Sequence, residues 1–156
     1  MQKKVMRRTA ADNKYFHRDF HKSMDLGFAY VGEHYGDNGV KTYLRSFTRE
    51  YYAPLVEKIK QEGLSALYGH IKRIYEIEEM PEVLSLTLTD DRLDVQVEKC
   101  PGLVHFKATG YTASPWYVEA TRTVNETIAD MADLSYIQHS YDENDGRCTY
   151  TFMRRH

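Results

Sequence analysis

Two thiols are the most reactive groups in this chain, and both lie at the ends of predicted strands. Cys100 follows an alternating segment and precedes Pro101-Gly102, whereas Cys148 begins a later strand after the turn at residues 145–147. A cysteine can act as a nucleophile or as a metal ligand, but it often serves only as a small buried apolar residue. The two positions frame a segment in which the fold could assemble a site.

Two histidines lie close in sequence to these thiols. His105 follows Cys100 by five residues, and His139 precedes Cys148 across the last predicted hairpin. Three interpretations stay open: a zinc-like Cys/His site, a thiolate nucleophile activated by a histidine, and two cysteines that only pack in the core. The sequence has no C-x-x-C pair, which argues against a structural zinc ribbon.

A further pair of imidazoles lies near the N-terminus. His17 and His21 are four residues apart, with Asp19 between them. On a helix this spacing places both rings on one face, where they could share a divalent metal. No third ligand follows from the spacing, and such a pair usually faces solvent. The cofactor therefore stays open, with a divalent metal as one alternative, and no residue is assigned as a metal ligand.

An aromatic pair followed by a carboxylate marks the start of a late helix. Trp116 and Tyr117 could form an apolar wall for a ligand, with Glu119 as a general base. The alternative is a hydrophobic staple beside an acidic residue that suits the positive end of a helix. The sequence contains no glycine-rich phosphate loop and no G-x-S-x-G motif, which argues against nucleotide-dependent chemistry and serine-triad hydrolysis.

Helices in the first half of the chain and mainly strands in the second must position these residues. Helical periodicity predicts a helix from Asp12 to about Val31, a second over 40–62 that Pro54 bends or splits, and a third over 65–77. Alternation predicts strands over 83–89, 93–99 and 103–109 and a terminal hairpin over 136–141 and 149–154, with a helix over 114–131. This segregation predicts an α+β fold: N-terminal helices packed on an antiparallel sheet of about four to five strands, with one further helix.

Length and charge limit the classes of protein to consider. The 156 residues suit one α+β domain over 11–156, preceded by a flexible N-terminal arm over 1–10. The net charge of −2 argues against nucleic acid as a partner, and no apolar run reaches the roughly 18 residues that cross a membrane. Two cysteines and a basic N-terminus without an apolar core predict a cytoplasmic protein.

Tyrosine is unusually abundant, with 13 Tyr and 6 Phe but one Trp. An aromatic ring with a polar tip suits a partly polar pocket or an interface between proteins. The expected partners are therefore a small-molecule ligand and a second copy of the chain in a homodimer.

Three segments of the C-terminal half carry a family resemblance. They are the run of residues 97–101 (VEKCP), the helix start at 116–119 (WYVE) and the closing run of 145–152 (DGRCTYTF). Together they resemble the L-2-amino-thiazoline-4-carboxylic acid hydrolase family, whose more remote relatives are small-molecule-binding domains of the vinyl-4-reductase type. The resemblance implies an α+β domain over roughly residues 20–154 and hydrolytic opening of a cyclic amidine, the thiazoline ring. Members commonly carry a further cysteine in the neighbourhood where this chain has Val118 or Ala120.

The expected function is hydrolysis of a C–N bond in a small cyclic amidine. Cys100 or Cys148 would be the nucleophile or a ligand. His105 or His139 would carry the proton, and Glu119 would orient water or bind an amino group. One alternative is a non-catalytic small-molecule-binding or sensor domain of the vinyl-4-reductase type. Another is a dimerising protein whose exposed aromatic residues form the interface.

Overall fold

Helices precede strands along most of the chain, as the sequence pattern predicts. The structure is a computed structural model and describes residues 19–155. Its elements are α1 (Phe20–Tyr51), α2 (Ala53–Glu62), α3 (Leu64–Ile77), β1 (Leu84–Leu88), β2 (Arg92–Val97), α4 (Pro101–Ala108), α5 (Glu119–Met131), β3 (Leu134–Tyr141) and β4 (Cys148–Arg154). The predicted arm over 1–10 and the predicted helix start at Asp12 lie outside the described residues.

The strands of this part of the chain form one antiparallel sheet with the order β1-β2-β4-β3. The hairpins β1-β2 and β3-β4 meet through the central pair of β2 and β4. Alternate residues of the central pair are buried on the face that meets the helices: Leu93, Val95, Val97, Cys148, Tyr150 and Phe152. The predicted α+β class, with N-terminal helices packed on an antiparallel sheet, is confirmed.

The helices pack on one another and on the edges of that inner face. Helix α1 has a break at Gly36, where φ is 66°, inside the predicted breaker at residues 36–39. The predicted helix over 40–62 is split near Tyr52, and Pro54 lies in the first turn of α2, where its missing N–H is tolerated. Helix α1 packs against α5, and α3 packs against β1. No helix within residues 19–155 has both the length and the apolar character needed to cross a bilayer.

One predicted strand is wrong, because residues 103–109 lie in and just after helix α4. Cys100 has extended backbone angles, and Pro101 follows at the first helical position, which suits proline. Leu103 and Phe106, three residues apart, are buried on the face that meets the core. The late helix α5 also begins at Glu119 instead of residue 114, so Trp116 and Tyr117 lie in turns that precede it.

Candidate functional site

Both thiols lie near the end of β2. Cys148 is paired with Val97 in the central strand pair and is buried, while Cys100 is partly exposed three residues beyond Val97. The backbone N–H of Cys100 donates to the carbonyl oxygen of Asp145 at 2.8 Å. Gly146 has a φ of 71°, and a Cβ there would clash with the Cβ of Cys100. A glycine at this turn therefore lets the start of β4 approach Cys100.

The Cys100 thiol begins a series of polar contacts that crosses four parts of the fold. Cys100 Sγ lies 3.9 Å from Tyr117 Oη, and this hydroxyl lies 3.4 Å from His21 Nδ1. His21 Nε2 lies 2.9 Å from Glu78 Oε1. We call these four residues the polar series. In this series the thiol contacts a phenol hydroxyl, the hydroxyl contacts an imidazole, and the imidazole contacts a carboxylate.

The polar series lies largely out of water. Tyr117 and Glu78 are buried, and the His21 side chain is 14% exposed. Burial raises the pKa of the Cys100 thiol, although the backbone N–H groups of Leu103 and Gly102 and the Tyr117 hydroxyl act in the opposite direction. Burial also raises the pKa of Tyr117. The thiol is thus protonated at neutral pH, while donors that would stabilise a thiolate surround it.

The second thiol, that of Cys148, is not part of a comparable series of polar contacts within residues 19–155. Burial raises the pKa of Cys148 to about 12, and the nearby Cys100 acts in the same direction. No hydrogen bond joins its sulfur to an imidazole or a carboxylate in the described part of the chain. Cys148 therefore behaves as a core residue.

The absence of a side chain at Gly102 makes room for the polar series. A Cβ at Gly102 would clash with Tyr117 Oη and would lie 3.0 Å from His21 Nδ1. Gly102 occupies the first turn of α4, directly after Cys100 and Pro101. The hydroxyl and the imidazole can therefore approach the start of α4 only because this residue is a glycine.

A buried carboxylate holds the loop that carries Tyr117. Asp25 of α1 is fully buried and accepts hydrogen bonds from Tyr111 Oη at 2.9 Å, Ser114 N at 2.8 Å and Ser114 Oγ at 2.6 Å. Trp116 is fixed nearby, since its Nε1 donates to Asp37 Oδ1 at 2.8 Å. The loop between α4 and α5 is thus attached to α1 on both sides of the break at Gly36.

A half-open pocket of about 240 Å³ lies beside the polar series. Its wall includes Leu103, Ser114, Tyr117, Val118, Tyr141 and Glu143. Tyr141 is paired with Cys148 across β3 and β4, and burial raises the pKa of Tyr141. Tyr117 belongs to both the pocket wall and the polar series, whereas Cys100, His21 and Glu78 do not line the pocket.

A second groove of about 250 Å³ lies between α1 and α5. Arg45 and Arg49 line it on one side and Glu126 and Asp130 on the other. It shares no residue with the polar series, and mixed charges of this kind are ordinary on a solvated surface.

The two histidines predicted to carry a proton lie elsewhere. His105 Nε2 lies 3.0 Å from Asp19 Oδ1, next to the start of α1. His139 lies at an irregularity in the pairing of β3 with β4, and its Nε2 lies 2.8 Å from Thr151 Oγ1. Among the hydrogen bonds of residues 19–155, none joins either ring to a thiol. The imidazole in the polar series is His21.

Glu119 is buried at the start of α5, in contact with other polar groups. It accepts a hydrogen bond from Thr123 Oγ1 at 2.6 Å and lies 3.4 Å from Arg122 and 4.0 Å from Lys41. Thr123 and Arg122 belong to α5 itself, and only the contact with Lys41 joins α5 to α1. Trp116, the other predicted wall residue, packs against Gly32, where a Cβ would clash with the indole.

The predicted metal pair lies only partly within the structure. His17 is outside the described residues, and His21 contacts Tyr117 and Glu78. Over residues 19–155, no group of three or more His, Cys, Asp or Glu side chains is arranged to hold a metal ion.

Sequence reasoning missed three members of this region. The sequence indicates His21 only as a candidate metal ligand, and the predicted motifs include neither Glu78 nor Asp25. Asp25 could have been noticed, because it is a carboxylate between Met24 and Phe28 on the predicted apolar face of α1. The pairing of His21 with Glu78, which are 57 residues apart, leaves no local signal.

Comparison with protein-family models, with curated proteins and with solved structures found no match for this chain. The family resemblance therefore rests on the three C-terminal segments alone.

Proposed function

We propose that this protein is a hydrolase that opens a C–N bond of a small cyclic amidine, with Cys100 as the nucleophile. The polar series is the observation that supports this proposal. An activated nucleophile commonly lies within hydrogen-bond distance of a base, and a third group orients that base. Here Tyr117 lies between the nucleophile and the base, His21, and Glu78 orients the imidazole.

The proton of the thiol must move when the sulfur attacks, because burial keeps the resting thiol protonated. In the proposed step, Cys100 passes its proton to Tyr117 Oη while the tyrosine proton moves to His21 Nδ1. The sulfur bonds to the amidine carbon, the C=N electron pair moves onto the ring nitrogen, and the proton held by His21 returns through Tyr117 to that nitrogen. The ring C–N bond then breaks as the exocyclic amino group forms a C=NH bond to the carbon and gives one proton to the leaving nitrogen. Water then displaces the sulfur from the carbon and restores the thiol.

The pocket supports a substrate of one small ring. Its volume of about 240 Å³ lies below the roughly 300–1,000 Å³ of pockets that hold drug-sized ligands. Tyr117 and Tyr141 provide aromatic walls, and Glu143 provides a carboxylate at the exposed rim. A small molecule is therefore the partner we propose, and two free cysteines favour the reducing cytoplasm as its location.

Matched pairs of variants test this hydrolase. The assay follows ring opening of 2-amino-2-thiazoline-4-carboxylate by the full chain. We expect Cys100→Ser to lose at least about 100-fold in kcat and Cys148→Ser to keep its turnover. His21→Gln should lower kcat by about 10²–10⁴-fold, whereas His105→Gln should not. Unchanged turnover in Cys100→Ser would rule out this chemistry.

The second candidate is a non-catalytic small-molecule-binding domain. Two observations favour it: the pocket wall contains Tyr117 but not Cys100, and burial keeps both thiols protonated. In that case the thiazoline should raise the melting temperature of the wild type and of Cys100→Ser equally, with no product formed. Product formation by the wild type would exclude this alternative.

A further inference from the structure

The end of α1 presents an aromatic stripe to solvent. Tyr43, Phe47 and Tyr51 are spaced by four residues and lie on one side of the helix. Their exposed fractions are 50%, 39% and 66%, which are high for aromatic residues. The rings of Phe47 and Tyr51 are stacked with centroids 5.1 Å apart.

The stripe continues onto α3. The ring of Tyr52 lies 5.0 Å from that of Tyr51 and 5.7 Å from that of His70. Ile74 and Ile77, which are 39% and 46% exposed, follow His70 along α3. We call the following seven residues the aromatic face: Tyr43, Phe47, Tyr51, Tyr52, His70, Ile74 and Ile77.

The aromatic face has the apolar area that one side of a stable dimer needs. Its five exposed side chains present roughly 480 Å² if each whole side chain counts for about 200 Å². A standard interface buries about 800 Å² per partner, of which about 56–65% is apolar, or about 450–520 Å². The face can therefore supply the apolar centre, and the polar residues around it can supply the rim.

The aromatic face also suits contact with itself. None of its tyrosine, phenylalanine or isoleucine side chains is charged, and burial lowers the pKa of His70, which keeps that ring neutral at pH 7. A two-fold interface brings the same patch together from both subunits, so a charged patch would repel its copy. Tyrosine and phenylalanine are also enriched at the centres of interfaces.

We propose that a second copy of this chain packs on the aromatic face and forms a two-fold symmetric homodimer. The face shares no residue with the polar series or with the pocket beside it. The dimer can therefore be tested without reference to hydrolysis or ligand binding.

The test is sedimentation of the full chain from about 1 to about 100 µM, the range in which dimers of moderate affinity dissociate. We expect the wild type to sediment at twice the monomer mass of 18.3 kDa. Phe47→Glu and Tyr51→Glu should each weaken the dimer at least about tenfold, because a buried unpaired carboxylate opposes association. The matched control is Tyr30→Glu, which changes an exposed tyrosine of α1 outside the face.

Circular dichroism and thermal melting confirm that each variant is folded. A wild type that stays monomeric up to about 100 µM overturns the proposal and assigns the face to another occupant, such as a different protein. The proposal also fails if both Phe47→Glu and Tyr51→Glu remain dimeric, or if Tyr30→Glu is the variant that dissociates.

Discussion

Gly102→Ala should destabilise the fold, although alanine is favoured over glycine in a helix by about 1 kcal/mol. The new Cβ would clash with Tyr117 Oη and would lie 3.0 Å from His21 Nδ1. Neither group can withdraw easily, because Tyr117 is buried and His21 contacts Glu78. Overpacking of this kind costs about 1–3 kcal/mol, and loss of the contact between Tyr117 and His21 adds about 1 kcal/mol. The net destabilisation should be about 1–3 kcal/mol, after the gain in helix propensity is subtracted.

Urea unfolding followed by circular dichroism measures this change. Gly69→Ala is the matched control, because Gly69 lies in helix α3 and a Cβ there meets nothing within 4 Å. It should stabilise the protein by up to about 1 kcal/mol. In the double variant Gly102→Ala/Tyr117→Phe the hydroxyl is gone, so more than half of the lost stability should return. The reasoning fails if Gly102→Ala is as stable as Gly69→Ala, or if the double variant shows no recovery.

Three further changes probe the supports of the site. Asp25→Ala should cost about 3–5 kcal/mol in urea unfolding, because it leaves the buried donors of Ser114 without their acceptor. Burial raises the pKa of Cys148 from 9.0 to about 12, so the folded state favours the neutral thiol. This contribution to the free energy of unfolding is complete below about pH 9 and is lost as the pH rises towards 12, where the buried thiol ionises. Melting curves from pH 8 to 12 should show this loss, and Cys148→Ala should reduce it. Gly146→Ala should cost roughly 2 kcal/mol or more, because its left-handed backbone and its contact with Cys100 both exclude a Cβ.

Local pattern was enough to predict most elements of the fold. The hairpin over β1 and β2 and the terminal hairpin were predicted within two residues, because polar turns separate their segments. The strand predicted over 103–109 is wrong, because a short apolar run fits a buried strand as well as a helix. Pro101 was the signal that could have decided between them, since proline suits the first position of a helix.

The site was harder to predict because its parts are distant in sequence. Cys100 precedes α4 with extended backbone angles, whereas His105 lies within α4 and its ring contacts Asp19. A strand would have separated them too, because residues at odd spacing face opposite sides of a sheet. His139 contacts Thr151, whereas Tyr150 and Phe152 on either side of Thr151, like Cys148, are buried on the inner face.

The residues that line the pocket distinguish the two proposed functions better than the two thiols do. The resemblance implies a further cysteine near Val118 or Ala120, and Val118 is the one of these two that lines the pocket. A thiol there would meet a ligand directly, whereas valine offers only apolar surface. In this chain Cys100 does not line the pocket, and its sulfur contacts the hydroxyl of the wall residue Tyr117. Hydrolysis thus requires Tyr117 to transfer a proton and to let the substrate approach the sulfur of Cys100. Binding of a small molecule without catalysis requires only the ring of Tyr117 as part of the pocket wall.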